Sequence, residues 1–333
     1  MLPDMLSGWV GDVAAFEAGD WQRRPALFHP QGPDPRSLPT MEEVDAVLAA
    51  GLLHGKYAEL MDQDGPVPRE AYCRSRWVNG STLDGYADGA RIGKLVQDGA
   101  TLLLNCVDHW HSGVAELTAA LTAGLGRSTD AALFATRPGT QGLGLHVDDG
   151  DVFLLQLCGS KHWQVHQGPA DGDWHTGALT DVPPLVLETT VHAGDALYIP
   201  RGVPHRAAAG DDGLSAHISV FVHEIGTAHL YAALHNLLLD GVDLRSKPLG
   251  DTALREGAQA LLRSLAQRLD GIGPEELVVA ARGLLAGTAP RTPSSPGLAA
   301  LVGAERPEAD IPVVAVAPYQ PHTGRPQSPL HDQ

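Results

Sequence analysis

Short apolar segments separated by turn residues recur through the middle of the chain, and this rhythm limits the possible folds more than any other feature. Most of the segments are bordered by glycine, proline or aspartate, which favour tight turns. Short strands with turn signals at intervals of about ten residues are typical of an all-β barrel or sandwich. The predicted strands cover residues 143–149, 152–158, 161–166, 185–187, 196–199, 204–208 and 214–222.

The first of these strands carries two candidate metal ligands. His146 and Asp148 are two residues apart, so on a strand both side chains leave the same face. A bare His-x-Asp pair is also common on polar strands, where the histidine is an ordinary core or edge residue. His205, which follows a short apolar strand and a Pro-Arg-Gly turn, is the predicted third ligand. Two histidines and one carboxylate on one side of a metal ion leave its other side open, as in non-haem Fe(II) oxygenases.

Three stretches around these residues follow a known pattern nearly residue for residue. Residues 146–156 read His-Val-Asp-Asp-Gly-Asp-Val-Phe-Leu-Leu-Gln, and residues 159–163 read Gly-Ser-Lys-His-Trp. Residues 194–205 read Gly-Asp-Ala-Leu-Tyr-Ile-Pro-Arg-Gly-Val-Pro-His. In these stretches the chain resembles the Jumonji-C-type cupins of the ribosomal oxygenase family. We therefore expect a mainly β core with flanking helices, folded as a double-stranded β-helix whose opposite strands direct ligands to one interior point.

The resemblance implies an Fe(II)/2-oxoglutarate-dependent dioxygenase. His146, Asp148 and His205 would bind the iron, and O2 would oxidise a substrate C–H bond while 2-oxoglutarate becomes succinate and CO2. The far carboxylate of 2-oxoglutarate needs a buried cation, and the resemblance assigns this role to Lys161, where a charge-assisted hydrogen bond would be strong. Asp151 also follows the family pattern, and we expect it to be a turn residue or an acid that supports the ligands.

Further polar residues are candidates for the cosubstrate pocket. His217 and Ser219 alternate with apolar residues in the last predicted strand, so they share a face. The resemblance implies contacts with 2-oxoglutarate, although a hydrogen-bond network in the core fits them nearly as well. Many relatives have Asn-x-Tyr-x-Thr before the glycine-rich loop, where this chain has Ala132, Phe134 and Thr136. Only Thr136 is retained as a candidate, and two polar pocket groups are lost.

Composition restricts the partners and the compartment. The 333 residues carry 40 acidic and 23 basic side chains, a net charge of −17, which disfavours binding to a nucleic-acid backbone. Three cysteines without a CxxC motif do not predict a disulfide framework and favour a reducing compartment. No secretory signal or apolar run of about 20 residues is present. We expect a cytoplasmic protein without a membrane contact.

The segments outside the barrel are less constrained. Residues 1 to about 40 are expected to be irregular, whereas Thr40 and Glu43 predict a capping box for a helix that ends at Gly51. The insert 167–181 is either a lid over the barrel mouth or a plain surface loop. Three leucine-rich helical patterns follow residue 224, and the resemblance implies that they form a homodimer. The predicted divisions are an N-terminal helical or irregular flank (1–84), a JmjC-like cupin catalytic domain (85–224), a helical bundle for dimerisation (225–287) and a proline-rich tail with a degenerate or absent winged helix (288–333).

Three functions are compatible with the sequence. The first is hydroxylation of an amino-acid side chain in a protein or peptide, with ribosomal proteins as the habitual target of the resembled family. The second is the same oxidation of a small molecule or of a biosynthetic peptide in a natural-product pathway, which the lost polar groups favour. The third is a metal-binding cupin without oxygenase activity, which would keep the histidines but would not need Lys161.

Overall fold

Fifteen strands and eight α-helices form most of the chain that the computed structural model describes, namely residues 6–30, 38–63, 65–170, 174–240, 247 and 249–286. The helices are α1 (Ser7–Val10), α2 (Val13–Gly19), α3 (Met41–Ala50), α4 (Gly89–Gln97), α5 (Ser112–Leu125), α6 (Thr227–Leu239), α7 (Gly250–Leu269) and α8 (Pro274–Ala286). The strands are β1 (Ala26–Phe28), β2 (Ala58–Asp62), β3 (Gly65–Pro66), β4 (Cys73–Val78), β5 (Ser81–Ala87), β6 (Thr101–Leu104), β7 (Thr129–Thr136), β8 (His146–Val147), β9 (Gly150–Cys158), β10 (Ser160–His166), β11 (Gly177–Ala178), β12 (Leu185–His192), β13 (Ala196–Ile199), β14 (His205–Ala209) and β15 (Ser215–His223). The predicted tail, 288–333, lies outside the described residues.

The strands form two main antiparallel sheets and a separate hairpin. The larger sheet has eight strands in the order β1-β13-β9-β15-β7-β6-β2-β3, and the smaller has five in the order β11-β8-β14-β10-β12. Strands β4 and β5 form a separate two-stranded sheet, and Tyr86 of β5 also forms an isolated bridge with His54. This is the expected mainly β core with a double-stranded β-helix.

Each face of the larger sheet is covered by a different layer. One face packs on the smaller sheet, and the shared core includes Leu154 and Leu197 from the larger sheet and Trp163 and Val165 from the smaller. The other face packs on the amino-terminal segment and on helices α3, α4 and α5. Because side chains alternate along a strand, β9 and β15 present one set of residues to the helices and the other set to the space between the sheets.

Helix ends follow the sequence signals closely. The Thr40 hydroxyl accepts a hydrogen bond from the Glu43 backbone N–H at 3.2 Å, and the Glu43 carboxylate accepts one from the Thr40 backbone N–H at 2.8 Å. Helix α3 then ends at Gly51, whose φ is +60°. Helix α5 begins after His111, whose Nδ1 accepts a hydrogen bond from the Val114 backbone N–H. The predicted capping box is therefore confirmed.

The amino-terminal segment is more regular than predicted. Helices α1 and α2 and strand β1 occupy part of residues 6–30, so the expectation of an irregular segment is wrong. The Asp12 carboxylate caps α2 by accepting a hydrogen bond from the Ala15 backbone N–H at 3.0 Å. Phe16 then packs edge-on against Phe28 and Tyr198, with ring centroids 5.7 and 4.9 Å away. This packing comes from residues distant in sequence, and short-range periodicity cannot predict it.

The hairpin of β4 and β5 was absent from the predicted elements. Asn79 and Gly80 form its two-residue turn, with φ values of +45° and +86°, as a type I′ hairpin requires. The predicted domain boundary at residue 84 falls inside β5. Strands β1 and β2, which belong to the predicted flank, are hydrogen-bonded into the larger sheet.

The three carboxy-terminal helices are present, and α6 packs against both α7 and α8. Glu224, the residue after β15, connects them to the barrel. Its carboxylate accepts hydrogen bonds from the guanidinium groups of Arg127 at 2.6 Å and Arg282 at 2.6 and 3.0 Å. These hydrogen bonds outweigh the effect of burial and lower the pKa of Glu224 to about 2. Every helix in the described residues is too short or too polar to span a bilayer.

Candidate metal centre

Three side chains converge on one point beside two neighbouring strands of the smaller sheet. His146 is the first residue of β8, Asp148 follows that strand, and His205 begins β14. One ligand atom from each of the three lies within 4.8 Å of the other two. They are the only such group of metal-ligand side chains in the described residues. The shortest separations are 3.4 Å from His205 Nε2 to Asp148 Oδ2 and 3.8 Å from His146 Nε2 to Asp148 Oδ1.

Strand pairing explains why the two histidines meet. His146 and His205 are directly paired residues on β8 and β14, and their ring centroids are 4.3 Å apart. The strands are hydrogen-bonded neighbours in one sheet, so the expectation that opposite strands supply the ligands is wrong in this respect. Residues paired across antiparallel strands project to the same side, which places both imidazoles next to the carboxylate.

Backbone carbonyl groups orient both imidazoles. Nδ1 of His146 is 2.8 Å from the Gly144 carbonyl oxygen, and Nδ1 of His205 is 2.9 Å from the Val203 carbonyl oxygen. Each Nδ1–H can therefore donate to a carbonyl two residues earlier in the chain. In this tautomer Nε2 is unprotonated and its lone pair faces Asp148, as a metal-binding histidine requires.

The charge states also suit a divalent cation. Burial, together with the neighbouring His205, lowers the pKa of His146, so its imidazole is neutral near pH 7. Burial alone would raise the pKa of the Asp148 carboxyl group, but its interactions with the adjacent His205 and His146 rings hold that pKa below its usual value. Two imidazoles and one carboxylate form the donor set of a facial Fe(II) site. The residues present therefore fit an iron ion.

A pocket with about 400 Å³ of empty space, part of it open to solvent, adjoins the three ligands. Its walls come from the facing sides of the two sheets. Apolar side chains predominate, and the polar groups are the three ligands, Lys161, His217 and Ser219. Mostly apolar walls with a few convergent polar groups are typical of small-molecule sites.

Lys161 is buried in this pocket without an acidic partner. Its side chain leaves β10, and the residue is 2% exposed. The ammonium donates a hydrogen bond to the Thr136 hydroxyl at 3.3 Å, and this hydroxyl lies 3.2 Å from that of Thr101. No carboxylate of the described residues forms an ion pair with it, and burial lowers the pKa of Lys161 to about 7. A buried ammonium without a counterion is unfavourable, so this pocket favours an anionic ligand.

His217 and Ser219 line the same pocket, from β15. The His217 ring stacks on Phe134 with centroids 4.8 Å apart and an angle of 2° between the planes. Burial, assisted by the nearby Lys161, lowers the pKa of His217 well below its ordinary value, so the ring is neutral. Its Nδ1 has no hydrogen-bond partner among the described residues. Thr136 lies one hydrogen bond behind Lys161.

The insert 167–181 contacts the ligand-bearing strands. Strand β11 within it pairs with β8, and Trp174 lies against Gly202 and near the Arg201 guanidinium, 5.3 Å from the ring centroid. Residues 171–173 lie outside the described part of the chain. Whether the insert is a lid stays an open prediction.

Two comparisons relate the chain to known sequences. Residues 109–228 match the JmjC domain family model. Ribosomal oxygenase 1 of Gallus gallus is 31% identical over 229 residues, which cover 65% of this chain and 36% of that protein. The bifunctional lysine-specific demethylase and histidyl-hydroxylase NO66 of Dictyostelium discoideum is 31% identical over 144 residues, 41% of this chain and 28% of that protein. The chain thus matches about a third of the length of these relatives.

A third comparison relates the fold to solved structures. The Escherichia coli ribosomal oxygenase YcfD in complex with cobalt and 2-oxoglutarate gives a TM-score of 0.51 at 20% identity, covering 80% of this chain and 68% of that chain. An X-ray structure of Escherichia coli YcfD gives a TM-score of 0.51 at 22% identity, covering 79% and 68%. At these identities the likeness establishes the fold alone.

Proposed function

We propose that the chain, whose residues 109–228 match the JmjC domain family model, is an Fe(II)/2-oxoglutarate-dependent dioxygenase that hydroxylates an amino-acid side chain in a protein or peptide. The observation that carries this proposal is the buried, unpaired ammonium of Lys161 in the pocket that holds His146, Asp148 and His205. A metal-binding cupin without oxygenase activity needs the three ligands but has no use for this cation, whose burial is costly.

Each pocket residue has a defined task in this proposal. His146, Asp148 and His205 would hold the iron, with both imidazoles oriented by backbone carbonyl groups. Lys161 would bind the far carboxylate of 2-oxoglutarate, with its ammonium directed by Thr136. When bound, Fe(II) and 2-oxoglutarate supply the oxidation of a substrate C–H bond by O2, with release of succinate and CO2.

The remaining polar residues would position the cosubstrate. Ser219 can donate or accept a hydrogen bond, whereas His217 is neutral and can do either through its ring nitrogens. The stack on Phe134 fixes the plane of the His217 ring. Apolar side chains such as Leu143 and Phe221 complete the wall and exclude water, which strengthens each of these polar contacts.

The protein substrate is proposed by analogy with the relatives. These relatives are named as a ribosomal oxygenase and as a lysine-specific demethylase and histidyl-hydroxylase. Phe134 favours the alternative of a small molecule or a biosynthetic peptide, because it offers no hydroxyl to the pocket. Incubating the chain with Fe(II), 2-oxoglutarate and O2 and then with ribosomal proteins should add the mass of one oxygen atom to a single peptide. Succinate formation that responds only to small molecules would favour the alternative.

The carboxy-terminal helices are proposed as a homodimer interface in the cytoplasm. Several apolar side chains on them are exposed, including Leu254, Leu262 and Val279 at 58%, 67% and 69%. Burying them between two copies would be favourable. Sedimentation of the wild-type chain and of Leu262→Glu tests this proposal: the wild type should sediment as a dimer and the variant as a monomer. A monomeric wild type would contradict it.

A further inference from the structure

A second carboxylate beneath the metal centre has no task in the proposed reaction. Asp151 is 0% exposed and lies three residues after Asp148. Its side chain accepts three hydrogen bonds: from the Tyr198 hydroxyl at 2.6 Å, from the Gln22 amide group at 3.2 Å and from the Arg201 backbone N–H at 3.3 Å. Burying a carboxylate is costly, so the site that holds it is built around these three donors.

These hydrogen bonds join the two turns that supply the metal ligands. The turn between β8 and β9 carries Asp148, and the turn between β13 and β14 leads to His205. Besides the bond from Arg201 to Asp151, the Gly202 backbone N–H donates to the Asp148 carbonyl oxygen at 3.2 Å. The Arg201 guanidinium also pairs with Asp149 at 2.7 Å on the exposed side. Residues 201 and 202 of the second turn therefore hold the first turn through contacts with residues 148, 149 and 151.

The amino-terminal segment completes this arrangement through one strained residue. Gln22 has a φ of +56°, a conformation that is uncommon for residues other than glycine. In this conformation its backbone N–H donates to the Tyr198 hydroxyl at 2.8 Å while its side chain reaches Asp151. The Tyr198 hydroxyl in turn donates to Asp151. Strain of this kind persists where surrounding contacts require it.

We propose that Asp151 is a positioning residue that fixes the distance between the Asp148 and His205 turns, with Gln22 and Tyr198 holding its carboxylate in place. This inference rests on the proposed function only in that the site binds a divalent metal ion. Groups that support metal ligands from behind typically change metal affinity about 10–100-fold when they are altered. Asp151 is too deeply buried to reach a substrate and would act through the ligands alone.

The test measures Co(II) binding rather than turnover. Asp151→Asn keeps the shape of the side chain but turns one acceptor into a donor that faces the existing donors. Asp195→Asn is the matched control. The Asp195 carboxylate also accepts a hydrogen bond from a backbone N–H, that of His192 at 2.9 Å, but it lies at the end of β13 that is farther from His205. The readouts are the Co(II) dissociation constant and the visible absorption spectrum of bound Co(II), with thermal unfolding to establish that each variant folds.

We expect Asp151→Asn to weaken Co(II) binding by about 10-fold or more and to alter the Co(II) spectrum, whereas Asp195→Asn leaves both unchanged. A folded Asp151→Asn with wild-type affinity and spectrum overturns the inference. If Asp151→Asn does not fold, Gln22→Ala decides in its place: weaker Co(II) binding supports the inference and wild-type binding overturns it. A wild-type chain that binds no Co(II) contradicts the proposed function itself, which is a different outcome from unchanged variants.

Discussion

Replacing Lys161 by methionine should stabilise the ligand-free protein and abolish its binding of 2-oxoglutarate. Methionine has a similar length and an apolar end, so it fills the space of the lysine without its charge. In the ligand-free pocket the ammonium donates to the Thr136 hydroxyl and lies 5.9 Å from the centroid of the Trp163 ring. Neither partner carries a negative charge, and the positive charge is therefore a cost to folding. In the liganded pocket the same charge would pair with a carboxylate.

The pKa of Lys161 sets the size of the effect. Burial lowers this pKa from 10.5 to about 7, and each pKa unit corresponds to about 1.4 kcal/mol. Between these two pH values the unfolded chain binds one more proton than the folded chain, so the free energy of unfolding rises with pH over that interval. At pH 7 the cost of burying the side chain is about 4 kcal/mol. For a chain of this size, removing it should raise Tm on the order of 10 °C.

Thermal unfolding of the metal-free proteins near pH 7 measures this gain. The control is Lys94→Met, because the Lys94 side chain is 74% exposed and pairs with Asp98 on the surface, so Tm should change little. Calorimetric titration of 2-oxoglutarate into the Co(II)-loaded proteins gives the second readout. Lys161→Met should not bind it, and wild-type affinity should fall as the pH rises above about 7. A Lys161→Met variant that has a lower Tm than the wild type and binds 2-oxoglutarate normally would refute this role of Lys161.

Three further outcomes follow from the structure. Burial holds the pKa of His217 in the folded chain well below 6.5, so this residue takes up a proton in the unfolded chain first as the pH falls. The free energy of unfolding of the metal-free protein should therefore fall by up to about 1.4 kcal/mol per pH unit below about pH 6.5. Urea unfolding should show a smaller slope for His217→Asn, and an equal slope in the two proteins would contradict the buried, neutral state of His217. Glu224→Gln removes the charge that pairs with Arg127 and Arg282, and we expect a loss of about 2 kcal/mol in urea unfolding; a change below about 0.5 kcal/mol would show that these contacts add little. Thr136→Val removes the hydroxyl that accepts from the buried ammonium and should weaken 2-oxoglutarate binding roughly five-fold by calorimetry, whereas unchanged affinity would remove Thr136 from the pocket's function.

Features encoded over a few residues were readable from the sequence. Strands β10 and β15, the capping box of α3 and the glycine at its end all appear where short-range patterns place them. Two signals of the same kind were present but missed. Asn79-Gly80 is a hairpin signal, and Asp12 before an alanine-rich run is a helix cap.

Features that depend on distant partners could not be read in this way. The bond from Gln22 to Asp151 spans 129 residues, and that from Arg127 to Glu224 spans 97. Nothing local indicates that β8 and β14 are neighbours, although this pairing brings His146 to His205. The resemblance supplied that proximity, whereas the strand register supplies its physical reason.

The most direct test of the account is anaerobic addition of Fe(II) and 2-oxoglutarate to the purified chain. We expect one iron per chain and the weak blue-green charge-transfer band of 2-oxoglutarate chelated to Fe(II). Asp148→Ala should lose both the iron and the band, and Lys161→Met should keep the iron but lose the band. A wild-type chain that binds no iron, or a band that survives in Asp148→Ala, would contradict the proposal that His146, Asp148 and His205 form the metal site.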